Sequence, residues 1–209
     1  MENVLVVGAT GTTGKKIVQL LKASQYFEPV AMVRNNQQQT EFEAHQVKTV
    51  MGDLEQDVSH TAKNMDKVIF AAGSGGNNVK AIDQDGAIKM IDAASKWNIN
   101  KFVMLSSMGA DQPEKSDKLK DYLKAKHNAD EYLKSSPLNY TIVRPGSLTN
   151  SVGDGKIKLS KSLNEQGEIS RDNVAQTLVR TLHDDAPNKE TFEIISGDTL
   201  IGKALENLK

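Results

Sequence analysis

Tyr122 and Lys126 stand four residues apart, on one face of any helix that carries them. An ammonium group close to a phenol stabilises the phenolate and pulls the tyrosine pKa down from about 10. That tunes the tyrosine as a proton donor to a carbonyl becoming an alcohol. Ser106 and Ser107 close an apolar run ahead of this pair, where a serine hydroxyl could meet the phenol and help polarise the carbonyl. The plainer reading is a packed tyrosine beside a solvated lysine.

A second constellation is Gly8, Gly11 and Gly14, three apart, after Val4–Val7 and before Ile17, Leu20 and Leu21 at helical spacing. This is a buried strand, a tight turn and a helix start. Unpaired amides and the helix dipole at such a turn bind anions. Gly8 permits the sharp turn, Gly11 lets the backbone approach a pyrophosphate, and Gly14 lets helix and strand pack closely. Thr10, Thr12 and Thr13 add hydroxyls for phosphate oxygens. Arg34 follows Gly14 by twenty residues, at the predicted end of the second strand, and no Asp or Glu lies between Val30 and Gln39. An acidic residue there suits a ribose 2′-hydroxyl and an arginine suits a 2′-phosphate, so NADP is favoured over NAD. Asp53 and Leu54, after the third strand, fall where an adenine would lie, and Asp53 can accept from its amino group. Ala72 and the Gly73–Gly76 loop would border the same cofactor at the carboxyl end of strand four. A glycine-rich turn that binds nothing, a surface arginine and an aspartate that caps the next helix are the bland counterparts.

The elements that must position these groups alternate. Strands are predicted over 4–7, 30–33, 47–51, 68–72, 102–105 and 140–143. Helices are predicted over 13–24, 36–45 (short and exposed), 56–64 (weak), 78–97 and 116–134. The apolar face of the fourth is Val79, Ile82, Ala87, Met90, Ile91 and Ala94; that of the fifth is Leu119, Leu123, Ala129 and Leu133. Beyond Gly146, Ile157 and Leu159 mark a small exposed strand. A helix opens at 169–172 and runs through Val174, Leu178 and Leu182, with Ser170 as N-cap and Asp172 in its first turn. A strand over 192–195 and a helix over 200–208 close the chain. Repeated βα units imply a doubly wound parallel sheet in three α/β/α layers with right-handed crossovers.

The 209 residues form one domain in this reading, with 147–170 and 196–209 as a small substrate-side appendage. A net charge of −1 gives no reason to expect nucleic acid or an anionic membrane. The absence of cysteine excludes disulfides, thiolate metal sites and a cysteine nucleophile. His45, His60, His127 and His183 show no metal spacing and read as surface residues, so no metal is expected. The chain enters its first strand at once and holds no membrane-length apolar run, which points to the cytoplasm. A monomer or homodimer acting on a small molecule is expected.

Together these motifs, with Val33-Arg34-Asn35, Phe102 through Gly109, Thr141 through Gly146 and Ile169 through Ala175, resemble the atypical NAD(P)H-binding branch of the short-chain dehydrogenase/reductase superfamily. The chain is similar to small bacterial epimerase-like oxidoreductases over nearly its whole length, and more distantly to NmrA-like and biliverdin reductase B-like proteins. The resemblance implies a Rossmann-type sheet of strand order 3-2-1-4-5-6-7. It implies that Tyr122 donates or accepts the proton, that Lys126 binds the nicotinamide ribose and biases Tyr122, and that Ser107 orients the carbonyl. Pro145, Gly146 and Ser147 would flank the nicotinamide beside Ser106. Asp83 stands where the superfamily usually has an asparagine in a proton relay, and Asn173 where this branch usually has an aspartate. Four functions are in view: an NADP(H)-dependent oxidoreductase, a cofactor sensor with little turnover, a flavin or biliverdin reductase that needs no Tyr–Lys pair, and a sugar-nucleotide epimerase or dehydratase. The last fits poorly, since too few residues follow Gly146 for a large substrate domain.

Overall fold

The computed structural model describes residues 1–208; Lys209, the last residue of the 196–209 segment, lies outside the described residues. Seven parallel strands form the centre of one sheet: β1 (Glu2–Val7), β2 (Phe27–Val33), β3 (Lys48–Met51), β4 (Lys67–Phe70), β5 (Lys101–Leu105), β6 (Tyr140–Pro145) and β10 (Glu190–Ser196). Between β6 and β10 the chain makes β7 (Ser147–Thr149), β8 (Lys156–Ser160) and β9 (Glu168–Ser170), and after β10 the short β11 (Thr199–Leu200). The order β11-β8-β10-β6-β5-β4-β1-β2-β3 has the expected 3-2-1-4-5-6-7 core, with β10 as the seventh strand. The segment beyond Gly146 also adds β8 and β11, which continue the sheet antiparallel past β10. A separate two-stranded sheet pairs β7 with β9.

The central strands are apolar on both faces, as a sheet covered by helices requires. Val4 and Val6 of β1 pack on one face with Ile17, Val18 and Leu21 of α1 (Thr12–Lys22) and Val174 and Leu178 of α5 (Arg171–Arg180). α6 (Ile201–Glu206) joins that layer. Leu5 and Val7 face the other way, toward Met90 and Ile91 of α3 (Ala87–Lys96) and Ala129 and Leu133 of α4 (Lys120–Ser135). The short exposed helix exists as α2 (Asn36–Ala44), capped by Asn35 Oδ1 accepting from Gln38 N at 3.0 Å. Ser170 caps α5 in the same manner, accepting from Asn173 N at 3.1 Å.

Several local expectations change. Residues 56–64 form turns and no helix, because Asp57 turns its carboxylate onto Ser59 N (2.9 Å) and diverts the backbone. The expected long helix is two pieces: Val79–Gly86 winds as a π-helix and only Ala87–Lys96 is α-helical. The wider winding turns Asp83 fully into the protein and leaves Val79 and Ile82 half-buried. Helix α4 begins at Lys120, so Leu119 is 54% exposed and not part of the inward face. Ile169 belongs to the short strand β9, while α5 starts at Arg171 directly after its expected cap, Ser170. His127 and His183 are half-buried: His127 bonds Ala110 O through Nδ1 at 2.9 Å, and His183 packs edge-on against Tyr26 and Phe27.

Candidate functional site

All seven parallel strands end at one rim, and the predicted residues collect there in three adjoining recesses. At the turn between β1 and α1, Gly8 has φ +86°, and a Cβ on it would lie 2.6 Å from Ala72 Cα. A Cβ on Gly14 would lie 2.0 Å from Gly8 O, so α1 lies directly on the turn and Gly14 lines no recess. At Gly11 the nearest atom to such a Cβ is Gly8 O at 3.3 Å, on the side where the turn faces the recesses. Gly11 caps α1 without a side-chain bond, so the first helical amides have no partner within the helix. Free amides at a helix N-terminus of this kind can cradle an anion.

The first recess, about 320 Å³, runs from Gly8, Thr10 and Gly11 to Arg34, Asp53 and Leu54, with Ala72 and Gly73 as its other wall. Arg34 is exposed at its mouth, where its amide donates to Gln38 Oε1 at 2.8 Å. Asp53 Oδ1 accepts from Glu55 N at 3.0 Å, which ties the turn after β3. Ile82, read from the sequence as core, lines this recess. So do Glu55 and Asn78, joined across it by a 2.6 Å bond from Asn78 Nδ2 to Glu55 Oε1. Nothing local in the sequence marks these two.

The second recess, about 540 Å³, brings Thr12 and Thr13 together with Gly73, Asp83, Ser106, Tyr122 and Lys126. Lys126 Nζ lies 3.2 Å from Asp83 Oδ1, 3.4 Å from Leu105 O and 5.7 Å from the Tyr122 ring centroid. The Asp83 contact is close in charge but not aligned as a hydrogen bond. Asp83 Oδ2 accepts from both the amide and the hydroxyl of Ser74 (3.1 and 2.7 Å). One carboxylate thus holds the lysine and the 73–78 loop together.

The two serines separate. Ser106 lines the second recess, and its Oγ donates to the buried Asp130 Oδ2 at 2.8 Å. Ser107, whose hydroxyl bonds Met108 O at 3.2 Å, lines the third recess with Pro145, Gly146 and Ser147. That recess is the largest, about 770 Å³, with residues 162–167 as its outer wall and no residue of 196–208 in its lining. Leu119 and Leu148 border both it and the second recess, so the two adjoin.

Sequence reasoning missed the support under Ser106. Asp130 is fully buried and accepts from Arg144 Nε and Nη2 at 3.0 and 2.8 Å. Burial pushes its carboxyl above the usual carboxylate range, and the Arg144 guanidinium offsets this only in part. The available signal was Asp130 one turn after Lys126, interrupting an apolar helix face.

Among the described residues no group of His, Asp or Glu could hold a metal ion, and no helix is long and apolar enough to cross a membrane. The model of a family described as NAD(P)H-binding matches residues 8–185. The chain is 38% identical to the Bacillus subtilis protein named "Uncharacterized sugar epimerase YhfK", covering 98% of this chain and 99% of that one. A solved Bacillus halodurans structure, provisionally titled an NAD-dependent epimerase/dehydratase, superposes with TM-score 0.94 at 40% identity, over 99% of this chain and 100% of that one. The oxidoreductase ylbE from Lactococcus lactis superposes with TM-score 0.88 at 31% identity, over 99% and 96% of the two chains. The chain belongs to the NAD(P)H-binding family, on its atypical short-chain dehydrogenase/reductase-like branch.

Proposed function

We propose that the chain is an NADP(H)-dependent reductase of a small carbonyl, quinone-like or flavin-like acceptor. The observation that carries this is the meeting of the Gly11–Thr13 turn, Ser106, Tyr122 and Lys126 in one recess that adjoins the large cavity lined by Ser107. In this reading Arg34 grips the 2′-phosphate, Asp53 accepts from the adenine amino group through its free Oδ2, and Leu54, Ala72 and Gly73 pack along the adenosine. Thr10, Thr12, Thr13 and the turn amides hold the pyrophosphate, and Lys126 holds the nicotinamide ribose. Pro145, Gly146 and Ser147 flank the ring. Dihydronicotinamide, when bound, supplies a hydride. With a carbonyl or quinone-like acceptor, Tyr122 would give its phenolic proton to the acceptor oxygen, with Ser107 orienting that oxygen and Asp83 fixing Lys126.

A second reading, a cofactor sensor with little turnover, draws support from the Lys126–Asp83 pair, since an ammonium neutralised by a buried carboxylate does less to acidify a phenol. NADPH oxidation measured across carbonyl, quinone, flavin and tetrapyrrole acceptors separates the two. Turnover that falls at least tenfold in Tyr122→Phe supports the acid role, and unchanged turnover removes it. Tight NADPH binding with no turnover on any acceptor leaves the sensor.

A further inference from the structure

We propose that Arg171 is the counter-charge to the pyrophosphate of the bound dinucleotide, supplied from the N-terminus of α5. The proposal rests on the cofactor assignment above, but not on the identity of the acceptor.

A pyrophosphate bridge carries about two negative charges, while a helix N-terminus offers roughly half of one positive charge. The remainder has to come from side chains, and the obvious cations are committed elsewhere. Lys15 is bonded to Glu41 at 2.7 Å, Lys16 to Asp172, and Lys126 is paired with Asp83. Arg171 lines the second recess with Gly11, Thr12 and Thr13. Among the described residues it is the cation there that meets no carboxylate. Its guanidinium Nη1 donates to two neutral oxygens, Leu148 O at 3.3 Å and Asn150 Oδ1 at 2.9 Å. These bonds orient the plane without neutralising it, and Nε and Nη2 keep their donors for an anion in the bidentate geometry arginine favours. The Lys16–Asp172 pair and the packing of α1 on α5 set this arginine beside the glycine turn. Asp172 itself is held off Arg171 by Lys16 and by Gly153 N, which donates to it at 3.0 Å.

The test is titration of the full chain with NADPH and, separately, with adenosine 2′-phosphate, which has no pyrophosphate. Arg171→Ala should weaken NADPH about tenfold or more and leave adenosine 2′-phosphate unchanged. Arg171→Lys should recover part of the loss. Asn150→Ala, which removes an orienting bond but keeps the charge, should stay within about twofold of wild type. NADPH affinity unchanged in Arg171→Ala would overturn the proposal, including the case where the arginine serves an anionic acceptor and only KM rises. Equal losses in Arg171→Ala and Asn150→Ala would also overturn it, in favour of a role in bracing residues 147–150. A wild-type chain that binds neither NADPH nor NADH would overturn the cofactor assignment beneath it.

Discussion

Lys126 and Asp83 form an ion pair at 3.2 Å with their side chains 4% and 0% exposed, at the end of the groove where hydride chemistry would take place. Pairs this deep contribute little net stability while intact, but removing one partner strands the other charge. Asp83→Ala should therefore cost about 3–5 kcal/mol in urea denaturation. The double variant Asp83→Ala/Lys126→Ala should cost less than the sum of the two singles. Additive losses would show that the pair is not coupled.

Arg34 bears on cofactor choice. Arg34→Ala should weaken NADPH about tenfold or more while NADH affinity stays within about twofold, read by fluorescence titration of each nucleotide. Equal losses for both would place the arginine's role away from the 2′-phosphate.

Asp130 gives a pH signature. Its carboxyl is raised in the folded protein by burial, so the fold holds the protonated form more tightly than the unfolded chain does. Its contribution to stability is then full below the unfolded pKa, about 4, and is lost as pH rises through the folded value. The stability of wild type minus that of Asp130→Asn should fall as pH rises above about 4 in urea melts. A flat difference would show that Arg144 cancels the burial cost.

Lys101 gives the opposite slope. It is 4% exposed and donates to Pro187 O at 2.8 Å and to Asn188 Oδ1, while burial and the neighbouring Lys67 charge pull its pKa down to about 8. Between that value and the unfolded one, about 10.4, the unfolded chain binds the extra proton, so stability rises with pH. The stability of wild type minus that of Lys101→Met should increase over this window. A difference independent of pH would show that Lys101 titrates normally.

What the sequence made legible was local or periodic. The glycine turn, the alternating strands and helices, the Ser170 cap and the Tyr122–Lys126 face all depend on spacings of a few residues. Three things escaped. Ser106 and Ser107 follow β5 directly but line different recesses, and only the packed structure shows that Ser106 is tied to Asp130 of α4 while the Ser107 hydroxyl bonds Met108 O. The π-helix over Val79–Gly86 shifts the face by a fraction of a turn, so Asp83 enters the core where an α-helical reading set Val79 and Ile82. The bonds of Arg144 and Asn78 join segments that no periodicity relates.

The buried lysines mark the far pole of the molecule. Lys67 and Lys101 pair in register at the starts of β4 and β5 and hold the backbone of 182–187 through Leu182 O and Pro187 O. Four residues along β5, about 13 Å away, the same strand ends at the recess that holds Lys126. Anchorage and ligand recognition thus draw on opposite tips of the same strands, beyond the distance at which substitutions usually interfere. In the proposed function, a change of acceptor would fall on residues 107–119 and 162–167, which line the third recess, and would leave the lysine staple at the other end of β4 and β5 untouched.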